Sequence, residues 1–161
     1  MGVVLIGFMG AGKSTIAKAL DQENFIDLDQ VIEKEIGMPI LQFFQDYDEA
    51  KFRQIERETL ETAVRSGFNV ATGGGIVQLV ENRDCLKKLK KVVYLKADFK
   101  TLYERILADQ KNQRPLALQP LQDVEQLFKQ REKFYEEVAD IIIETKDKKP
   151  EEIIKEIQEL K

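Results

Sequence analysis

Residues Val3 to Thr15 read VVLIGFMGAGKST, and this stretch decides the fold. Its first part, VVLI, is a short apolar run with the β-branched content of a buried strand. It runs straight into GFMGAGKST, Gly7 to Thr15, which is a P-loop. A P-loop needs a strand to feed it and a helix to receive it, so that backbone N–H groups and the helix N-terminus converge on phosphate oxygens. Gly7, Gly10 and Gly12 let the backbone approach an anion closely, Lys13 places a point charge near the terminal phosphates, and Ser14 offers an oxygen to Mg²⁺. Nucleotide phosphate binding is the first expectation.

Outward from the loop, apolar runs at Val3–Ile6, Phe25–Leu28, Asn69–Thr72, Val92–Leu95 and Asp140–Glu144 read as strands alternating with helical patterns. Helices are expected to begin near Lys13, Asp29, Asp48, Asn82, Asp98, Asp123 and Pro150, with Gly37 and Gly67 closing two of them and Asp98 capping another. This alternation predicts an α/β fold of the P-loop NTPase type, a three-layer α/β/α sandwich with a five-stranded parallel sheet, like the nucleoside monophosphate kinases. One domain spanning 1–161 accounts for the whole chain. Two stretches depart from the alternation. Residues 31–67 run helix after helix and are expected to form a small substrate-binding lobe. Residues 109–120, DQKNQRPLALQP, are polar, contain Pro115 and Pro120, and are expected to form a lid loop.

Composition narrows the class. The 161 residues are 43% hydrophobic and 34% charged, ordinary for a soluble globular protein, and the net charge of −4 argues against nonspecific tracking of nucleic acid. No run has the apolar length of a membrane span, the N-terminus has no secretory pattern, and the single cysteine, Cys85, cannot form an internal disulfide. A cytoplasmic monomer without nucleic-acid or membrane partners is expected. The chain has no histidine, so acid–base work falls to carboxylates or water. Phosphoryl transfer tolerates this, because it asks for positioning and charge stabilisation more than for a strong base.

Several residues can carry such chemistry. Asp27 and Asp29 lie two apart at the end of the second strand, which by alternation sets both carboxylates on one face where ligands of open sheets bind. One or both read as helix caps; beside a phosphate site, Asp27 can hold the metal through water and Asp29 can orient an attacking hydroxyl. The triglycine Gly73–Gly75 leaving the third strand signals either a tight turn or a close approach. Arg53 reads as an exposed partner of Glu49, four residues earlier. Arg131 instead falls within the apolar stripe Val124, Leu127, Phe128, Phe134, Tyr135, Val138 and must meet an anion, either a structural carboxylate or a ligand. Arg114 sits in the lid-like loop, either solvated or positioned to swing over a transferring phosphoryl group.

Taken in order, GFMGAGKST, DLD, FRQIE, GGG, RPL and REKFY resemble the shikimate kinases over essentially the whole chain. The resemblance implies ATP and Mg²⁺ as cosubstrate and metal, with ATP phosphates on Gly10, Ala11, Gly12, Lys13, Ser14 and Thr15, and Mg²⁺ on Ser14. It implies Asp29 on shikimate hydroxyls, Arg53 and Arg131 on the shikimate carboxylate, Gly74 binding through its N–H, and Arg114 as the lid residue near ATP. Lys148 stands where the family often has an arginine near the adenine. The segment between Thr15 and Asp27 is a few residues shorter than is usual, which trims the first helix. The expected reaction moves the γ-phosphoryl group of ATP to the 3-hydroxyl of shikimate, with Lys13, Asp29 and Arg114 as the catalytic residues. Rival readings are a gluconate or nucleoside monophosphate kinase, or an ATP-binding module without turnover.

Overall fold

The computed structural model describes residues 2–109 and 119–160. Five strands, β1 (Val4–Ile6), β2 (Phe25–Asp27), β3 (Asn69–Ala71), β4 (Val92–Lys96) and β5 (Ile141–Glu144), form one parallel sheet in the order β2-β3-β1-β4-β5. Leu5 pairs in register with Ala71 on one side and Val93 on the other. Central strands flanked by helices on both faces are buried throughout, and β1 accordingly carries no polar residue. Complete burial of Leu5 and Ile6 contributes about 1.5–3 kcal/mol each.

Helices α1 (Lys13–Leu20) and α8 (Pro150–Gln158) pack together on one face, while α4 (Glu49–Arg65), α5 (Val80–Lys87) and α7 (Leu121–Val138) cover the other. Between β4 and α7 lies α6 (Phe99–Ala108), capped by the Asp98 carboxylate accepting from Thr101 N. Helix α1 stops early because Asp21 leaves helical geometry and its carboxylate turns back to accept from Glu23 N and Asn24 N. That local turn carries the chain into β2 after a short first helix.

The strand β2 ends one residue sooner than its apolar run suggests. Asp27 caps α2 (Leu28–Ile36) by accepting from Gln30 N, so Leu28 and Asp29 belong to the first helical turn. A helix α3 (Ile40–Asp46) then follows Pro39, whose fixed φ suits a helix entrance. Helices α2, α3 and α4 share a small core of Ile32, Phe43 and Phe52, separate from the main one. Phe43 and Phe44 both lie against Phe52, with ring centroids 6.1 and 4.9 Å away. Among the described residues no helix is long and apolar enough to cross a membrane.

Candidate active site

The chain order β1, β2, β3, β4 against the spatial order places the reversal of strand order at β1, so the C-terminal ends of β1, β2 and β3 meet at one edge. At these ends lie the P-loop, Asp27 and the triglycine. In the P-loop, Gly10 and Gly12 have φ of 86° and 90°, left-handed conformations that glycine adopts at little cost. Among the described residues no atom lies within 4 Å of where a Gly12 side chain would begin. Lys13 is buried, and its ammonium donates to the carbonyls of Gly7 at 2.5 Å and Phe8 at 3.0 Å. Those contacts fold the loop around its own lysine. Ser14 Oγ donates to Asp27 Oδ2 at 2.5 Å, so the hydroxyl and the carboxylate expected to serve a metal stand side by side.

The donor set suits Mg²⁺, a hard cation that takes one or two protein oxygens and completes its shell with phosphate and water. Ser14 and Asp27 supply two such oxygens. Among the described residues no group of three or more Cys, Asp or Glu could hold a metal by itself. Asp27 also keeps its capping role, so the two readings of that carboxylate are compatible.

The triglycine turn resolves into close approaches rather than special backbone angles, since none of Gly73, Gly74 and Gly75 has positive φ. A Cβ on Gly73 would lie 2.8 Å from Asp29 Oδ1 and 3.2 Å from Glu56 Oε2. On Gly74 it would lie 3.3 Å from Met9 N and 3.4 Å from Arg131 Nη1, and on Gly75 only 2.4 Å from both terminal nitrogens of Arg53. The turn therefore joins the P-loop to Asp29, Arg53 and Arg131. Asp29 reaches this group from the first turn of α2, and the strand alternation expected to align it with Asp27 does not operate there.

Arg53 departs most from its expectation as an exposed partner of Glu49. The Glu49 pair exists, at 3.3 Å, but Arg53 is 9% exposed because its other edge donates to Glu56 Oε1 at 2.8 Å. Glu56 is itself only 1% exposed. Burial pushes the Glu56 carboxyl up from its ordinary value, opposed by the charge and hydrogen bond of Arg53 and reinforced by nearby Asp29. Arg131 faces inward as its stripe requires, at 5% exposure, with Cζ 5.8 Å from the centroid of the Phe8 ring. Burial pulls its guanidinium down from the ordinary value, and its Nε has no hydrogen-bond partner among the described residues. A buried cation with an unspent donor suits an anionic ligand.

From the sequence Glu56, three residues from Arg53, either steers that arginine or solvates the helix, and the fold buries it against Arg53. Two contributors escaped the sequence. Tyr135 reads as apolar stripe, yet its hydroxyl donates to the Gly74 carbonyl. Arg105 of α6 donates from Nη1 to the Gly10 carbonyl at 3.2 Å, a contact that depends on how α6 meets the P-loop. Lys148 follows β5 at the same end of the sheet and pairs with Glu156 at 2.6 Å. Arg114 and the centre of the 109–120 stretch lie outside the described residues.

A P-loop with a paired hydroxyl and carboxylate, joined through the triglycine to two buried guanidinium groups, defines an ATP-dependent kinase of small anionic molecules. The comparisons with known proteins make this particular. A family model described as shikimate kinase matches residues 9–161. A shikimate kinase of Lactococcus lactis is 51% identical over 159 residues, covering 99% of this chain and 97% of that protein. One of Enterococcus faecalis is 44% identical over 164 residues, covering 99% and 98%. The solved shikimate kinase of Acinetobacter baumannii in complex with shikimate superposes with a TM-score of 0.87 at 35% identity, covering 98% of this chain and 90% of that one. That of Aquifex aeolicus gives 0.82 at 36% identity, covering 98% and 94%. The chain belongs to the shikimate kinase family.

Proposed function

We propose that the chain transfers the γ-phosphoryl group of ATP to the 3-hydroxyl of shikimate, giving shikimate 3-phosphate and ADP in aromatic amino acid biosynthesis. The observation that carries this reading is the position of Gly74, where a Cβ would stand 3.3 Å from Met9 N of the P-loop and 3.4 Å from Arg131 Nη1. A small carboxylic acid held by Arg53 and Arg131 would present its hydroxyls toward the phosphate cradle and Asp29. Two guanidinium forks suit a rigid carboxylate better than point charges would, because they fix its plane as well as its distance.

In this reading Gly10 to Thr15 bind the ATP phosphates through backbone N–H groups and the start of α1. Ser14 and Asp27 would hold Mg²⁺, which neutralises charge on the phosphate oxygens when bound. Lys13 exchanges its contacts with the Gly7 and Phe8 carbonyls for phosphate oxygens and stabilises the charge that develops in the transition state. Asp29 orients the substrate hydroxyl and accepts its proton. The Gly74 N–H binds substrate, and Lys148 lies toward the base of the nucleotide. The protein works as a cytoplasmic monomer.

Steady-state kinetics test the assignment. Lys13→Ala should nearly abolish turnover, and Arg131→Ala should raise the KM for shikimate while leaving that for ATP unchanged. An unchanged shikimate KM in folded Arg131→Ala would remove the carboxylate role.

A further inference from the structure

We propose that Arg83 is a positioning residue that locks the triglycine turn onto α7 and so keeps Gly74 and Gly75 in register with Arg131. Arg83 lies on α5, and its side chain is 16% exposed. Its Nη1 donates to the carbonyls of Val77 at 2.6 Å and Gln78 at 3.0 Å. Those carbonyls belong to the turn that the glycines open, since Ile76 N donates to Gly73 O and Gln78 N to Gly75 O. The same guanidinium has its Cζ 4.0 Å from the centroid of the Phe134 ring, and its Nε stands 3.6 Å from a Glu137 carboxylate oxygen. Phe134 and Glu137 are on α7, on either side of Tyr135, whose hydroxyl donates to Gly74 O. Arg131 lies one helical turn earlier.

The turn is thus fastened to α7 at both ends, by Tyr135 at Gly74 and through Arg83 at Val77 and Gln78. A single fastening would leave a pivot, and rotation about it would move Gly74 and Gly75 against the two substrate arginines. One nitrogen serves both carbonyls while the flat guanidinium face lies over an aromatic ring, and a lysine ammonium, which can reach two carbonyls as Lys13 does, has no such face to stack. The Glu137 contact is the dispensable part. It is exposed and shared with Lys87 at 3.2 Å, and exposed pairs contribute little.

This role rests on the proposed substrate site, so the test carries a control for that reading. Kinetics and thermal melting are measured on the full chain for Arg83→Lys, Phe134→Leu, their double variant, Glu137→Gln and Arg131→Ala. Arg83→Lys and Phe134→Leu should each raise the KM for shikimate roughly fivefold, leave that for ATP within about twofold, and combine less than additively because they share one contact. Glu137→Gln should leave both constants unmoved. A purely structural Arg83 would lower the Tm with the shikimate KM unchanged, or raise both KM values together, and either outcome overturns the proposal. If Arg131→Ala raises the shikimate KM and the Arg83 and Phe134 variants do not, the positioning role alone is lost. If Arg131→Ala is also silent, the substrate site itself is misplaced and the role falls with it.

Discussion

Gly75→Ala separates a packing role for the triglycine from a substrate role. Its backbone is not in the left-handed region, so alanine is tolerated by the chain itself, and the whole effect comes from what a Cβ meets. That atom would stand 2.4 Å from Arg53 Nη1 and Nη2, where ordinary contact begins near 3.4 Å, so the guanidinium must retreat by about 1 Å. The obstructed atoms are the end of a flexible side chain, which moves more easily than backbone. Folding should therefore survive. Retreat on that scale strains the 2.8 Å bond from Arg53 to Glu56 and displaces one of the two cations assigned to the substrate carboxylate. Misplacement of about 1 Å costs up to roughly a hundredfold, so kcat/KM for shikimate should fall between about tenfold and a hundredfold, or about 1.4–2.7 kcal/mol. ADP release measured against each substrate, with a thermal melt alongside, reads this out. The ATP KM should stay near that of the parent. A folded Gly75→Ala protein with unchanged shikimate kinetics would refute the argument that the glycine exists to admit Arg53.

Other outcomes follow from the same geometry. Glu49 occupies one edge of Arg53 from an exposed position, and such pairs are worth about 0.3–0.5 kcal/mol, so Glu49→Gln should lower the shikimate KM by about twofold; a rise would mean that Glu49 orients Arg53 instead. Asp27→Asn retains a good helix cap but loses charge beside Ser14, so the Tm should change little while the Mg²⁺ concentration needed for half-maximal rate rises; no change in that requirement would free Asp27 from the metal. Glu56 binds its proton more tightly when folded than when unfolded, so its contribution to stability is complete below the ordinary glutamate value of 4.5 and is lost as pH rises through the raised folded value. Denaturant unfolding of parent and Glu56→Gln across that window should show the parent losing stability relative to the variant as pH increases, and a gap that is constant or moves the other way would contradict the raised value.

How much of this was written in the sequence depends on the range of each interaction. The P-loop and the strands were legible because strand burial leaves apolar runs and phosphate binding leaves glycines at fixed spacing. Arg131 was legible for a related reason, as a cation inside an apolar helical stripe. Arg53 was only half so: the local pair with Glu49 is real, but its burial depends on Glu56 beneath it and Gly75 across from it, and the second of these is a tertiary contact. Asp29 reaches the triglycine by a different route from the one its spacing suggested, from a helix turn rather than a strand end, because the Asp27 cap starts α2 early. Tyr135 and Arg83 look locally like a stripe aromatic and a surface cation, and their partners lie on other elements.

The central claim is that a phosphate cradle and a pair of buried arginines act on one small acid. Phosphorus NMR of purified protein incubated with MgATP and shikimate tests it most directly. ADP and a new phosphomonoester on the 3-hydroxyl of shikimate should appear in equal amounts, and only when shikimate is present. A folded, ATP-binding protein that leaves shikimate unphosphorylated, or releases inorganic phosphate in its place, would contradict it.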